Sequence, residues 1–272
     1  MVHTDTAFVG SVPELYTRYM GPMLFEPYAA DLASRLRDLT SGSLLETACG
    51  TGIVTRALAA ALPASVAITA TDLIDPMLDF AKSQPGGERV DWQQADAQNL
   101  PFPDQTFDAA VCQFGVMFFP DKPSAYREVF RVLKPGGRFL FNVWDRIETN
   151  DLTYIAHKAL MKLYPDDPPM FMARTPMGHH DTGKIRAELA NAGFTEITVD
   201  TRKLPCHTPS ARHPALGLVQ GSPFGAEVAA RDPSGLDRAV EAATQAITEH
   251  FGPGPIEASM QAHIFTATRP PR

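Results

Sequence analysis

The chain has 272 residues, 44% of them hydrophobic, and a formal net charge of −7. That length buries a full core in one larger domain or a core with insertions, while the acidic balance and scattered Lys and Arg argue against a nucleic-acid partner. The cysteines, Cys49, Cys112 and Cys206, are odd in number and form no CxxC pair, which points to buried thiols in a reduced, cytoplasmic protein rather than to disulfides or zinc.

In chain order, the opening MVHTDTAFVGSVPEL has neither the basic start nor the apolar core of a signal peptide. The segment LYTRYMGPMLFEPYAADLASRL follows, and its Tyr16 and Tyr19 share a face if the segment is an α-helix. Ser43–Ala48 reads as a buried strand and Ile53–Leu62 as a helix, whose Ala57–Leu62 run is too short to span a membrane. Val66–Asp72 is a strand, Pro76–Ser83 a helix with Pro in its first turn, and Val90–Ala95 and Phe107–Phe114 are two more strands. Lys122–Leu133 has helical apolar spacing, Pro135-Gly136-Gly137 stops it, and Arg138–Trp144 is the fifth strand. Such alternation makes an α/β sheet, parallel in its core, with ligands bound outside the carboxyl ends of the strands. Beyond Trp144 the pattern loosens. Asp151–Leu163 and Thr182–Asn191 read as helices around a Pro- and Met-rich connection, and Thr195–Thr201 reads as a strand. Leu204 to Pro255 is broken by Pro and Gly, with helical stretches near Ala211–Gln220 and Leu236–His250, before a last strand at Ala258–Thr268.

The glycine turn in LLETACGTGIVTRALAAAL decides between nucleotide sites. A phosphate loop of the GxxxxGK[ST] kind needs a Lys after the last glycine, and none follows Gly52. A dinucleotide fingerprint needs a third glycine where Thr55 stands. Glu46, at the strand end four residues before Gly50, suits a ligand carrying positive charge rather than a pyrophosphate. Asp72 ends the neighbouring strand, where a carboxylate can accept two ribose hydroxyls or instead cap the next helix, for which Asp75 is the better placed residue.

Glu46-x-x-x-Gly50-x-Gly52 resembles motif I of the class I S-adenosylmethionine-dependent methyltransferases. ADAQNLPFPDQTFDAAV from Ala95, the FGVMFFPD run from Phe114 and REVFRVLKPGGRF from Arg127 are similar to the ubiquinone/menaquinone-biosynthesis type. The likeness covers about residues 40–145 and departs from the pattern at Ala48, where the family has a glycine. It implies a Rossmann-like seven-stranded, mostly parallel sheet with one antiparallel strand plus a helical cap or insertion. Residues 1–272 would form a single methyltransferase domain, with an N-terminal helical cap at 1–40 and a cofactor core at 41–146. A substrate lid or insertion would occupy 147–181 and 204–256, and the last strands of the sheet 182–203 and 257–269. The implied cofactor is S-adenosylmethionine, held by Tyr19, Glu46, Ala48, Gly50, Thr51, Gly52, Asp72, Met77, Asp96, Ala97, Gln113 and Phe114. In the family Asp96 and the N–H after it meet the adenine, and Met77 lies on an adenine face, though a core methionine fits Met77 as well. Tyr16, Phe118 and Phe119 are pocket candidates, with at least one of the two Phe also fitting the core.

No [DNS]PP[YFW] follows the fourth strand, so the acceptor implied is a small, partly apolar molecule methylated at carbon or oxygen, not a base amino group. Positioning is the main catalytic need. His179, His180 and His207 are the candidates if a general base is required, and HHD lacks the further ligands of a metal site. The insertion can close over substrate or form a homodimer contact. The other readings are a cofactor-binding protein without transfer activity and a nicotinamide-dependent oxidoreductase.

Overall fold

The computed structural model describes residue 10 and residues 12–271. From Glu26 onward the elements are α1 (Glu26–Ser34), β1 (Gly42–Glu46), α2 (Ile53–Ala61), β2 (Val66–Asp72), α3 (Asp75–Ser83), β3 (Val90–Gln94), β4 (Phe107–Gln113), α4 (Lys122–Val132) and β5 (Leu133–Trp144). Then come α5 (Asp151–Leu163), α6 (Thr182–Asn191), β6 (Thr195–Thr208), α7 (Arg212–Gln220), α8 (Pro223–Arg231), α9 (Leu236–Phe251) and β7 (Ile256–Thr268). Helix starts follow local chemistry. Asp121 accepts the N–H of Ser124 at α4, Asp181 those of Gly183 and Lys184 at α6, and Ser222 that of Phe224 at α8. The Asp of HHD is thus a helix cap.

Two compact units divide the chain. The first holds residues 28–143, 180–202 and 263–272 and carries the sheet, in the order β3-β2-β1-β4-β5-β7-β6. β1 pairs in parallel with β2 and β4, β2 with β3, and β4 with β5. β7 runs antiparallel to β5, since Gly136 and Gly137 exchange hydrogen bonds with Arg269 while Asp145 N–H donates to Gln261. Leu44, Leu45, Ala110, Val111, Phe139, Leu140 and Phe141 fill the core on this sheet. The strand order reverses between β1 and β4, so their adjacent carboxyl ends form the expected ligand crevice.

The second unit comprises residues 1–27, 144–179 and 203–262 as far as they are described. Its helices α5 and α9 pack together, as do α7 and α9. Buried Glu227 accepts the N–H groups of Met170 and Phe171 at 2.7 and 3.0 Å and pairs with Arg174 at 2.7 Å, holding the short Phe171–Arg174 turn.

Several elements differ from the sequence expectation. β1 ends at Glu46 because Ala48 turns left-handed, at φ 52°. β5 begins at Leu133, and the Pro135-Gly136-Gly137 stretch becomes a register irregularity opposite Phe107–Ala109. β6 continues through Pro205 to Thr208, which an edge strand tolerates. Residues 28–40, grouped above with the N-terminal cap, belong to the sheet unit. Tyr16–Phe25 forms a π-helix around Pro22, so three-residue spacing no longer aligns side chains. Tyr16 stacks on Phe25 with centroids 4.6 Å apart, and Tyr19 meets His213 edge-on at 4.8 Å.

Candidate active site

The turn after β1 combines three left-handed residues, Ala48 (φ 52°), Gly50 (φ 56°) and Gly52 (φ 76°). Gly52 opens α2 in a crowded place, where a Cβ would lie 2.9 Å from both the Arg56 guanidinium and the Trp92 ring. Neighbouring strand ends tie the turn down. Thr47 N–H donates to Val111, Cys49 N–H to Thr71, and the Thr71 hydroxyl to the Glu46 carbonyl at 2.9 Å.

Glu46 is completely buried, and neither carboxylate oxygen has a hydrogen-bond partner among the described residues. Burial, reinforced by the nearby Asp72 charge, pushes its carboxyl up to about 8, against the opposing pull of Thr55 and Arg56. The Thr55 hydroxyl exerts that pull without meeting hydrogen-bond geometry, since its oxygen is also unpartnered. Arg56 donates to the Thr51 carbonyl at 2.8 Å. A buried carboxyl left this way either stays protonated or ionises against an incoming cation. The residues present therefore fit a cationic ligand.

Asp72 accepts the Gly50 N–H at 2.7 Å with one oxygen and the Ile74 N–H at 2.9 Å with the other. Burial raises its carboxyl while the Ile74 and Gly50 bonds oppose the rise. Asp75 is not the helix cap. Ile74 occupies that position, and no side-chain cap bond forms there. Met77 is buried, and its terminal methyl lies 3.8 Å from where a Cβ on Gly50 would stand. Half-buried Asp96 accepts the Gln98 N–H at 2.8 Å beside buried Ala97. Thr51 is buried beneath the turn.

At the end of β4, Gln113 is half-buried and Phe114 is left-handed at φ 48°. The core positions of FGVMFF are Phe114, Val116 and Met117, whereas Phe118 and Phe119 are both half-buried. Cys49 and Cys112 are buried free thiols, and burial pushes Cys112 up to about 12, so neither is poised as a nucleophile.

Glu46, Ala48, Gly50, Thr51, Gly52, Asp72, Met77, Asp96, Ala97, Gln113 and Phe114 all belong to the sheet unit, as do Phe118, Phe119 and half-buried His180. Tyr16, Tyr19, buried His179 and His207 belong to the other unit. His207 is exposed on β6, 3.9 Å from Glu257. Thr71, Gly115 and Asn142 do not stand out as site residues in the sequence. Only Asn142 leaves a signal there, as a polar residue inside the apolar run RFLFNVW.

A family described as Methyltransferase domain matches residues 45–141, from Leu45 in β1 to Phe141 within β5. The ubiquinone/menaquinone biosynthesis C-methyltransferase UbiE of Geotalea daltonii is 31% identical over 135 residues, covering 48% of this chain and 57% of that protein. Its namesake from Salmonella arizonae is 30% identical over 168 residues, covering 57% and 67%. The crystal structure of the [4+2]-cyclase SpnF shares the fold with a TM-score of 0.61 at 22% identity, over 98% of this chain and 96% of that one. The chain belongs to the class I S-adenosylmethionine-dependent methyltransferases. Within them it resembles the ubiquinone/menaquinone-biosynthesis type, and it spans between about half and two thirds of those relatives' length.

Proposed function

We propose that this chain binds S-adenosylmethionine at the carboxyl ends of β1, β2 and β4 and transfers its methyl group to a small, partly apolar molecule. The observation that carries the reading is Glu46, a buried carboxyl inside the matched family span with no hydrogen-bond partner among the described residues. When bound, the cofactor supplies an electrophilic methyl on a sulfonium. Glu46 then faces the cofactor's ammonium, Asp72 accepts ribose hydroxyls, and Asp96 with the Ala97 N–H reads the adenine against Met77. Gln113 and Phe114 border the reacting end, and the turn from Ala48 through Thr51 to Gly52 cradles the ligand. Phe118 and Phe119 offer aromatic surface for the acceptor. A base is needed only for an acceptor that must lose a proton, and His179 and His180 are better candidates than exposed His207.

Carbon is favoured over oxygen as the methylated atom because two relatives are named C-methyltransferases. A soluble, cytoplasmic enzyme, homodimeric through its insertion, belongs to the same proposal. Among the described residues no helix is long and apolar enough to cross a membrane. A second reading is cofactor binding without methyl transfer, for which Glu46, Asp72 and Asp96 would suffice. An acceptor screen read by S-adenosylhomocysteine formation separates the two. Turnover with a quinol-like or phenolic acceptor is expected, and cofactor binding with no turnover across the screen would favour the second.

A further inference from the structure

Asn142 is completely buried in the middle of an otherwise apolar stretch of β5. Packing would be served by an aliphatic side chain, and a buried amide is unfavourable unless hydrogen-bonded. Its Oδ1 accepts the Phe114 N–H at 2.9 Å, while the Asn142 backbone carbonyl lies 3.3 Å from that same N–H. Its Nδ2 has no partner among the described residues. The amide is therefore kept for its oxygen.

Phe114 needs that oxygen. A non-glycine residue in the left-handed region costs about 1–2 kcal/mol and persists only where its surroundings hold it. Asn142 grips the backbone from below. The ring packs edge-on against buried Tyr28, 5.4 Å between centroids, and the Tyr28 hydroxyl donates to the Arg202 carbonyl at 2.9 Å. The turn at Phe114 carries Gly115 up to the other left-handed turn, so that a Cβ on Gly115 would lie 2.6 Å from the Cβ of Ala48. A contiguous path runs from Asn142 through Phe114 and Gly115 to Ala48 and the glycine turn.

We propose that Asn142 is a positioning residue for the ligand-binding turn: by fixing the left-handed turn at Phe114 it holds Gly115 against Ala48 and so sets the conformation of residues 48–52. The inference rests on the reading that this turn binds S-adenosylmethionine.

Calorimetric titration with S-adenosylhomocysteine across a double-mutant cycle tests it. Asn142→Leu is expected to weaken binding by about tenfold, within the usual range of coupling between sites. In an Ala48→Gly background, where the methyl contact is gone, the same substitution should weaken binding by less than about threefold. Val143→Ala, equally buried but outside the path, should lose stability and keep its affinity within about twofold. An equal Asn142→Leu effect in both backgrounds, or none in either, overturns the proposal. If Asn142→Leu does not fold, amide exchange on the unsubstituted chain decides. By reciprocity of coupling, protection of the Phe114 N–H should rise about tenfold on adding S-adenosylhomocysteine, and unchanged protection overturns the proposal. Failure of the unsubstituted chain to bind S-adenosylhomocysteine would instead overturn the cofactor reading on which it rests.

Discussion

The backbone N–H of Gly50 donates to the Asp72 carboxylate at 2.7 Å, joining the turn after β1 to the end of β2. The other Asp72 oxygen takes the Ile74 N–H at 2.9 Å, so one buried side chain fixes both loops that border the proposed ribose site. A carboxylate has about four lone-pair positions, which leaves room for ligand hydroxyls beside these two bonds.

Asp72→Ala should therefore do two things at once. Leaving two backbone N–H groups without their acceptor is expected to lower stability by about 2–3 kcal/mol in urea denaturation. Affinity for S-adenosylhomocysteine should fall more than about tenfold, since charge-assisted hydrogen bonds are lost as well. Affinity within about twofold of the parent would remove Asp72 from the ribose site and leave it as a loop clasp.

Glu46 gives the site a pH dependence with a definite sign. Its folded-state carboxyl is raised from the ordinary 4.5 to about 8, so its contribution to the ligand-free protein is full below the ordinary value and is lost as pH rises through about 8. The melting temperature of Glu46→Gln relative to the parent should climb steadily between about pH 5 and pH 8. Ligand binding has the opposite dependence. A cationic ligand needs the ionised carboxylate, so association near pH 7 should release close to one proton, read from heats in buffers of different ionisation enthalpy. No proton release with retained binding would show that the cation does not pair with Glu46.

The two left-handed turns touch, and the space between them is fully used. Gly115→Ala would set a methyl 2.6 Å from the Ala48 Cβ and 2.7 Å from the Cys112 sulfur, and is expected to cost about 2–3 kcal/mol of stability. Ala48→Gly relieves a left-handed alanine at some cost in chain entropy and should fall within about 1 kcal/mol of the parent. Combining them should recover about 1 kcal/mol of the Gly115→Ala loss, because only the Ala48 half of the clash is removed.

In the helical unit, Glu227→Ala would leave the Met170 and Phe171 N–H groups and the Arg174 guanidinium without their shared acceptor. Removing the buried acceptor of two backbone N–H groups is expected to destabilise the fold by about 2–3 kcal/mol, read from the denaturation midpoint.

Much of the candidate site is legible in the sequence because it lies at strand ends, and strand ends are marked locally. Glu46, Gly50 and Gly52 announce a strand breaking into a turn and helix, and Asp72 and Asp96 close the next two strands. What stays hidden depends on partners distant in sequence. The Asn142 bond to Phe114 joins residues 28 apart, and the Gly115–Ala48 contact follows from left-handed conformations that neither Ala nor Phe advertises. The Asp72 bond to Gly50 gives a residue suited to ligand contact a second, structural task. Around Gly21-Pro22 the missing proline N–H disrupts ordinary helical bonding, and the wider π-helix undoes the expected Tyr16–Tyr19 alignment. Pro205 looks like a strand breaker and is not one, because only the place of β6 at the sheet edge makes it tolerable.

The central claim is that the carboxyl ends of β1, β2 and β4 hold S-adenosylmethionine. Thermal denaturation of the unsubstituted chain with S-adenosylhomocysteine and, separately, with NADH tests it most directly. A ligand present at about 100 times its dissociation constant stabilises by about 2.7 kcal/mol, which shifts the melting temperature by several degrees. The account predicts that shift with S-adenosylhomocysteine, its reduction by about half or more in Asp72→Ala, and none with NADH. Stabilisation by NADH alone would contradict it.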